Sequence, residues 1–431
     1  MRSTSPPDHR RFLRLLQVLL TLVLLVKLAG FFTWSEDVGF TRAFKMVSRL
    51  SMTAAAYGLY RLILSRGAVD SFRWHNSLAP ILYAGYLLLG LASLLWSTDA
   101  AYSLLQLVMD VESLVFAFYF VKCFLLLDAF FPTSRISLPN VVGNASFGLI
   151  AVFLGGMLVA PEVFYRLTHN GEEARLGGFL MNPNELGMLC VVGISCLSFN
   201  FYRGYHPLLT ALKILPLFYA LLLTGSRSSL VGFLLIALLH VFQSGHRRLQ
   251  WATAAAALLA VPVAVRTLFI KQGGVEEVLS LTGRLPFWHA LLTEGLPKEP
   301  LLGYGFMRIA YGDYFQSTHT YAAQMTHNTF IQVLLNLGLV GFALVLAQLT
   351  LTLRGFVRTR QTERRLLFFG LLIPILINSF TEFGIFGQTN YGILFYQLLI
   401  FLISLRYHPL LSTAEKLLLK RKRPELPLLP A

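Results

Sequence analysis

Charge is scarce in this sequence, and negative charge most of all. Only 13% of its 431 residues are Asp, Glu, Lys or Arg, and 21 acidic residues face 36 Lys and Arg, a formal excess of +15. Hydrophobic residues make up 55% before the 33 glycines are counted, whereas soluble domains reach about 45–50% with glycine included. A water-soluble globule is therefore excluded. The three cysteines, Cys123, Cys190 and Cys196, lie inside apolar stretches without the spacing of a disulfide framework or zinc site, and they read as small core residues. The basic residues form no continuous stripe, which excludes a nucleic-acid binder. No small-residue cleavage site follows the first apolar run, which carries Arg14 and Lys27, so that run reads as a retained helix. No internal repeat is visible.

Long apolar runs are what the sequence has in abundance. A bilayer core of about 30 Å needs roughly 20 apolar residues per helix, and about twelve runs approach that length. They lie near 12–34, 44–64, 77–96, 112–131, 141–160, 185–202, 207–224, 228–243, 250–268, 328–353, 366–385 and 389–405. The second carries Arg49 and Arg61, and the eighth is short. The expected fold is an all-α integral membrane protein of about twelve transmembrane helices with a large, partly helical extracytoplasmic loop. Residues 1–268 hold helices one to nine, 269–327 the loop, 328–407 helices ten to twelve, and 408–431 a basic cytoplasmic tail. Placing the short-loop Lys and Arg in the cytoplasm, from Arg10 and Arg11 through Arg354, Arg358, Arg364 and Arg365 to Lys420 and Arg421, puts both termini inside. Contact with anionic lipid is a further use of these cations.

This orientation leaves two long outer loops, 161–184 and 269–327, and long loops in compact folds usually carry function. In the second, Pro286 is placed to open a short amphipathic helix through Phe287, Trp288, Leu291 and Leu292, with Gly295 and Pro297 ending it. Gly303, Gly305 and Gly312 mark turns. Four outer helix starts carry a polar or cationic residue: Asn182-Pro183-Asn184-Glu185, Gly225-Ser226-Arg227-Ser228, Gly283-Arg284-Leu285-Pro286 and Thr326-His327-Asn328. Asn184, Ser226 and Thr326 are the expected N-caps. Arginine in a first turn opposes the helix dipole, so Arg227 and Arg284 are badly placed for stability alone, yet a guanidinium beside free N–H groups suits phosphate. The competing readings are a snorkelling interfacial Arg227, an ion pair of Arg284 with Glu276, Glu277 or Glu294, and a surface pair of Arg175 with Glu172 or Glu173. Glu382 and Asn378, near the outer end of the eleventh run, are weaker candidates.

His327 stands where a helix N-terminus and nearby arginines disfavour imidazolium, which predicts a free ring nitrogen near neutral pH and the role of general base. An interfacial histidine bonded to a loop carbonyl is the alternative. No second ligand stands at metal spacing, His319 being eight residues away, so neither a metal site nor a cofactor is expected.

Five segments, taken in order, resemble the O-antigen ligase and polymerase superfamily. They are Arg175 to Gly187 around Asn182-Pro183-Asn184, Thr224-Gly-Ser-Arg227-Ser-Ser229, Gly283-Arg284-Leu-Pro-Phe-Trp288, Pro300-Leu-Leu-Gly-Tyr-Gly305, and His327-Asn328-Thr-Phe-Ile-Gln332 followed by Leu337-Gly338-Leu-Val-Gly341. The likeness spans residues 175 to about 345. It implies a multi-pass protein of the bacterial cytoplasmic membrane with its site on the periplasmic face, a metal-independent inverting glycosyltransferase. Its donor would be a glycan on undecaprenyl pyrophosphate and its acceptor another glycan or lipid A-core. By that resemblance Arg227 and Arg284 hold the pyrophosphate and His327 activates the acceptor hydroxyl, while Arg175, Asn184 and Asn328 join the substrate-binding set. The Asn-Pro-Asn segment, common in polymerases of the superfamily, leaves ligase and polymerase both open. Outside this class, a transporter for a lipid-linked sugar would require ionisable residues in broken helices and a repeated half. An intramembrane serine protease using Ser226 and His327 is a poor fit, because the serine would lie at the surface.

Overall fold

The computed structural model describes residues 7–66, 68–131, 134, 136–168, 173–243, 247, 250, 284–307, 309, 325–359, 362–382 and 384–408. Within them the chain is dominated by helices: α1 Pro7–Ala29, α2 Val38–Leu64, α3 Leu78–Ala92, α4 Ala100–Phe130, α5 Leu138–Val159, the single turn α6 Pro161–Phe164, α7 Pro183–Tyr202, α8 Pro207–Leu223, α9 Arg227–Gln243, α10 Arg284–Ala290, α11 Thr329–Val357, α12 Thr362–Thr381 and α13 Tyr391–Ser404. Every apolar run read from the sequence falls on one of these except the ninth, 250–268, which lies outside the described residues from 251 on, as do Glu276, Glu277, Gly312, His319 and the tail from 409 on. Among the described residues, seven helices are long and apolar enough to cross a membrane: α1, α3 with its 3-10 extension to Leu95, α4, α5, α7, α11 and α12. The apolar α8, α9 and α13 are shorter. α2, with Arg42, Lys45, Arg49 and Arg61 along it, is not among the seven. The architecture is an all-α membrane protein.

Polar caps start the helices sharply. Asp37 accepts from the N–H groups of Gly39 and Phe40 at 2.7 and 3.1 Å, Asp99 from that of Tyr102 at 3.0 Å, and Asn390 from those of Gly392 and Ile393 at 2.7 and 3.1 Å. α7 lies at the centre, packed by α5, α8, α9 and α12, and α13 is buried on nearly all faces. A helix apolar all round belongs in the interior.

Two features were not foreseen. Short antiparallel ribbons join β1 Phe72–Trp74 to β4 Leu405–Tyr407, and β2 Tyr165–Thr168 to β3 Glu173–Leu176 inside the first long loop. α4 also begins twelve residues before the run that announced it, so Glu112 lies well inside the helix and not at a span end. There its carboxylate accepts from Lys27 and Thr53 and pairs with Arg49 at 3.3 Å, while Asp110 accepts from Tyr83 and Gln397 at 2.8 and 2.6 Å. Ionisable groups at membrane depth are retained only when paired in this way.

α11 is interrupted at Gly338, whose φ of 62° and ψ of −164° belong to a region essentially reserved for glycine. The Pro300–Gly305 turn is docked against this break. Leu339 and Val340 donate their N–H groups to the carbonyls of Pro300 and Leu301 at 2.8 and 3.2 Å, and Tyr304 and Gly305 donate to those of Leu335 and Asn336 at 3.0 and 2.9 Å. The broken helix thus leaves these backbone groups satisfied by the loop, the condition under which irregular backbone is tolerated at depth. Two of the motif segments, Pro300 to Gly305 and Leu337 to Gly341, are partners in one joint.

Candidate active site

The site is assembled where α7, α9, α10, α11 and α12 have their polar ends. α7 starts at Pro183, and its cap is Asn182, which accepts from Asn184 N–H at 2.9 Å, and not Asn184 as expected. Proline at the first helical position places the cap one residue earlier. α11 is capped by Asn328, whose side chain accepts from Phe330 and Ile331 N–H at 2.9 and 3.1 Å, and not by Thr326. His327 between them is left-handed, with φ 53°, and cannot be a helical residue. Ser226 does cap α9, accepting from Ser229 N–H at 3.3 Å. α10 begins at Arg284 and continues as a π turn over Leu291–Gly295, close to the expected amphipathic helix, with Phe287 and Leu291 buried against Tyr304, Ile309 and Leu335.

Glu382, ranked low from sequence, is the hub. Its Oε2 lies 2.8 Å from His327 Nδ1, and its Oε1 accepts from Arg284 at 3.1 Å and from Asn184 Nδ2 at 2.9 Å. Arg284 also donates to the Thr381 carbonyl. Its acidic partner is therefore Glu382, not Glu294. The Glu382 side chain is 5% exposed, His327 27% and Arg284 18%. Burial pushes the Glu382 carboxyl up, but the hydrogen bond and charge of His327, then Arg284 and Asn184, outweigh it and hold the group below the usual carboxylate range. His327 thus faces a carboxylate as well as cations, which corrects the purely cationic surroundings expected. With Nδ1 held by Glu382, the ring turns its Nε2 edge away from the carboxylate.

The network continues through Asn184. Its Oδ1 accepts from Arg175 at 3.0 Å, Arg175 Nε donates to the Thr224 carbonyl at 2.6 Å, and Ser229 Oγ donates to the Asn184 carbonyl at 3.0 Å. Gly187 lets the starts of α7 and α9 approach, since a Cβ there would stand 2.7 Å from Ser229 Oγ. Arg227, three residues beyond Thr224, is half-buried and makes no hydrogen bond or ion pair with a described residue. Arg175, Asn184, Arg284 and His327 are thereby brought into one connected set with Glu382. Arg227 borders it, and Asn328 holds the backbone beside His327. The sequence reading gave no site role to Trp288, which donates to the Thr326 carbonyl at 2.6 Å, or to Gln332, which accepts from Thr326 N–H at 3.0 Å. Asn378 is buried and contributes its carbonyl to Glu382 N–H at 2.7 Å. The signal for Glu382 was its isolation, as the lone acidic residue between Glu363 and Glu415, closing an apolar run.

No curated protein matches the chain. Residues 212–346, about a third of the length, match the O-antigen ligase family, and this stretch carries Arg227, Arg284, His327 and Asn328. The resemblance read from the motifs and the family match agree, and this helical membrane protein carries a region that matches the O-antigen ligase family.

Proposed function

We propose that the protein is an inverting membrane glycosyltransferase. It moves a glycan from undecaprenyl pyrophosphate to an acceptor hydroxyl on lipid A-core or another glycan, at the periplasmic face of the cytoplasmic membrane, in the manner of an O-antigen ligase. The observation that carries this reading is the His327–Glu382–Arg284 cluster, formed by residues of the matched family region and the carboxylate closing α12. The Lys and Arg asymmetry of the short loops supports the orientation.

In this mechanism His327 Nε2 takes the proton of the acceptor hydroxyl as that oxygen attacks the anomeric carbon. The carbon–oxygen bond to pyrophosphate breaks on the opposite face, and its electron pair leaves with the phosphate oxygen. Glu382 orients the ring through Nδ1 and faces the imidazolium that forms, the division of labour of a base and its orienting carboxylate. Arg284 uses two N–H groups on Thr381 and Glu382, leaving others of its fork for phosphate. With Arg227 it stabilises charge growing on the leaving group. No divalent ion has a part in this scheme. A donor that brings its own pyrophosphate bond suits a membrane face with no nucleotide supply.

The Asn182-Pro183-Asn184 segment favours a second reading, a polymerase joining repeat units, because its Asn184 is built into the site. The surface polysaccharide of a deletion strain separates the two. Loss of glycan from lipid A with polymer remaining on undecaprenyl pyrophosphate supports the ligase, and single repeat units on lipid A support the polymerase. The transporter alternative finds little support: Lys27 and Arg49 both pair with Glu112, and the break in α11 is closed by the Pro300–Gly305 turn. Unchanged polysaccharide in the deletion strain would overturn both transferase readings.

A further inference from the structure

The far ends of the same helices carry a second polar assembly. Arg364 and Thr381, near the two ends of α12, stand 17 residues apart along the helix, a rise of about 26 Å that approaches a bilayer core of about 30 Å. At the Arg364 end a cleft of about 590 Å³ lies between the ends of α4, α11 and α12 and the strand β4. Arg358, Arg364 and Arg406 line it, and among the described residues Asp128 is its one acidic lining residue. Arg358 and Arg406 are exposed, whereas Arg364 is half-buried, within electrostatic range of both Asp128 and Arg406.

Loop arginines that merely set topology repel one another and spread into water. Here they converge. The register of the β1–β4 ribbon places Arg73 directly opposite Arg406, an arrangement of like charges that destabilises a strand pair when nothing lies between them. The remaining lining is Thr359, the apolar Leu125 and Ala129, and the Tyr407 ring, which packs at 5.3 Å against Phe130. A cationic mouth flanked by Leu125 and Ala129, at the end of a helix long and apolar enough to cross a membrane, fits a molecule that is anionic at one end and greasy at the other. The size is that of ordinary small-ligand sites. Guanidinium forks match phosphate oxygens in pairs, and basic pockets between membrane helices bind anionic head groups.

We propose that this cleft holds the phosphodiester head group of an anionic phospholipid, such as phosphatidylglycerol, in the leaflet opposite the Glu382 site. The inference is independent of the catalytic reading. The test is native mass spectrometry of the full chain, delipidated in detergent and titrated with phosphatidylglycerol, phosphatidylcholine or inorganic phosphate. The wild type should retain one phosphatidylglycerol under conditions that strip phosphatidylcholine. Arg358→Gln and Arg406→Gln, both at exposed positions, should each lower its occupancy about fivefold. Asp128→Asn should raise it, a change in the opposite direction that misfolding does not mimic. Equal retention of both lipids, or occupancy indifferent to all three substitutions, overturns the proposal. Binding of inorganic phosphate with this arginine dependence, but not of phosphatidylglycerol, assigns the cleft to a free anion and equally overturns it.

Discussion

Glu382 Oε2 stands 2.8 Å from His327 Nδ1 across 55 residues of sequence, joining the end of α12 to the residue before the cap of α11. Through this bond a buried carboxylate sets which edge of the imidazole is available. Glu382→Gln keeps the shape but removes the charge and allows the ring to turn or change tautomer. Turnover should fall by as much as about 10⁴-fold, the order seen when a carboxylate that orients a catalytic imidazole becomes an amide. The KM for the lipid-linked donor should change little, and steady-state kinetics on the purified variant check the split.

The same carboxylate predicts a pH dependence of stability. Its folded pKa lies below the ordinary 4.5, so protons bind the unfolded chain more readily in that range. The stabilisation is present above pH 4.5 and is lost as pH falls through the depressed folded value. Thermal unfolding in detergent should show a drop in Tm below pH 4.5 that is smaller in Glu382→Gln.

Arg284→Ala and Arg227→Ala should each cost about 2–4 kcal/mol in transition-state stabilisation, the effect of removing one preorganised donor. Lysine should restore only part, because an ammonium lacks the bidentate fork. Transfer by the wild type should survive chelation with EDTA. Activity abolished by EDTA and restored by magnesium would contradict this division of labour.

Gly338→Ala should lower stability by about 1–3 kcal/mol through its left-handed backbone alone, and by more through contact with the Leu301 carbonyl. Displacement of the Pro300–Gly305 turn should reduce activity as well. A Tm equal to that of the wild type would show that the joint accommodates a side chain.

Much of the helical order was legible because a bilayer imposes one simple requirement, an apolar run of sufficient length. The early start of α4 was not, since Asp110 and Glu112 break the run while remaining buried through partners that only the fold supplies. The two ribbons escaped notice because three or four residues carry too little periodicity to register. In the site, Arg284 and His327 stood out by being poorly placed at helix starts. Their common partner did not: Glu382 follows a helix end, and its meaning comes from residues on three other elements. The caps were misread by two residues each, where Pro183 opens α7 and the left-handed His327 delays the start of α11.

The central claim is that His327 accepts the acceptor proton, and transfer rates in proteoliposomes carrying a polyprenyl-pyrophosphate glycan test it most directly. A positioned base contributes about 10²–10⁴-fold, so His327→Ala should lose that much while still inserting and binding donor. Glutamine can hydrogen-bond the acceptor but cannot take its proton near neutrality, so His327→Gln should be nearly as slow as His327→Ala. A His327→Gln enzyme that keeps most of the wild-type rate, with the same pH dependence, would contradict the account.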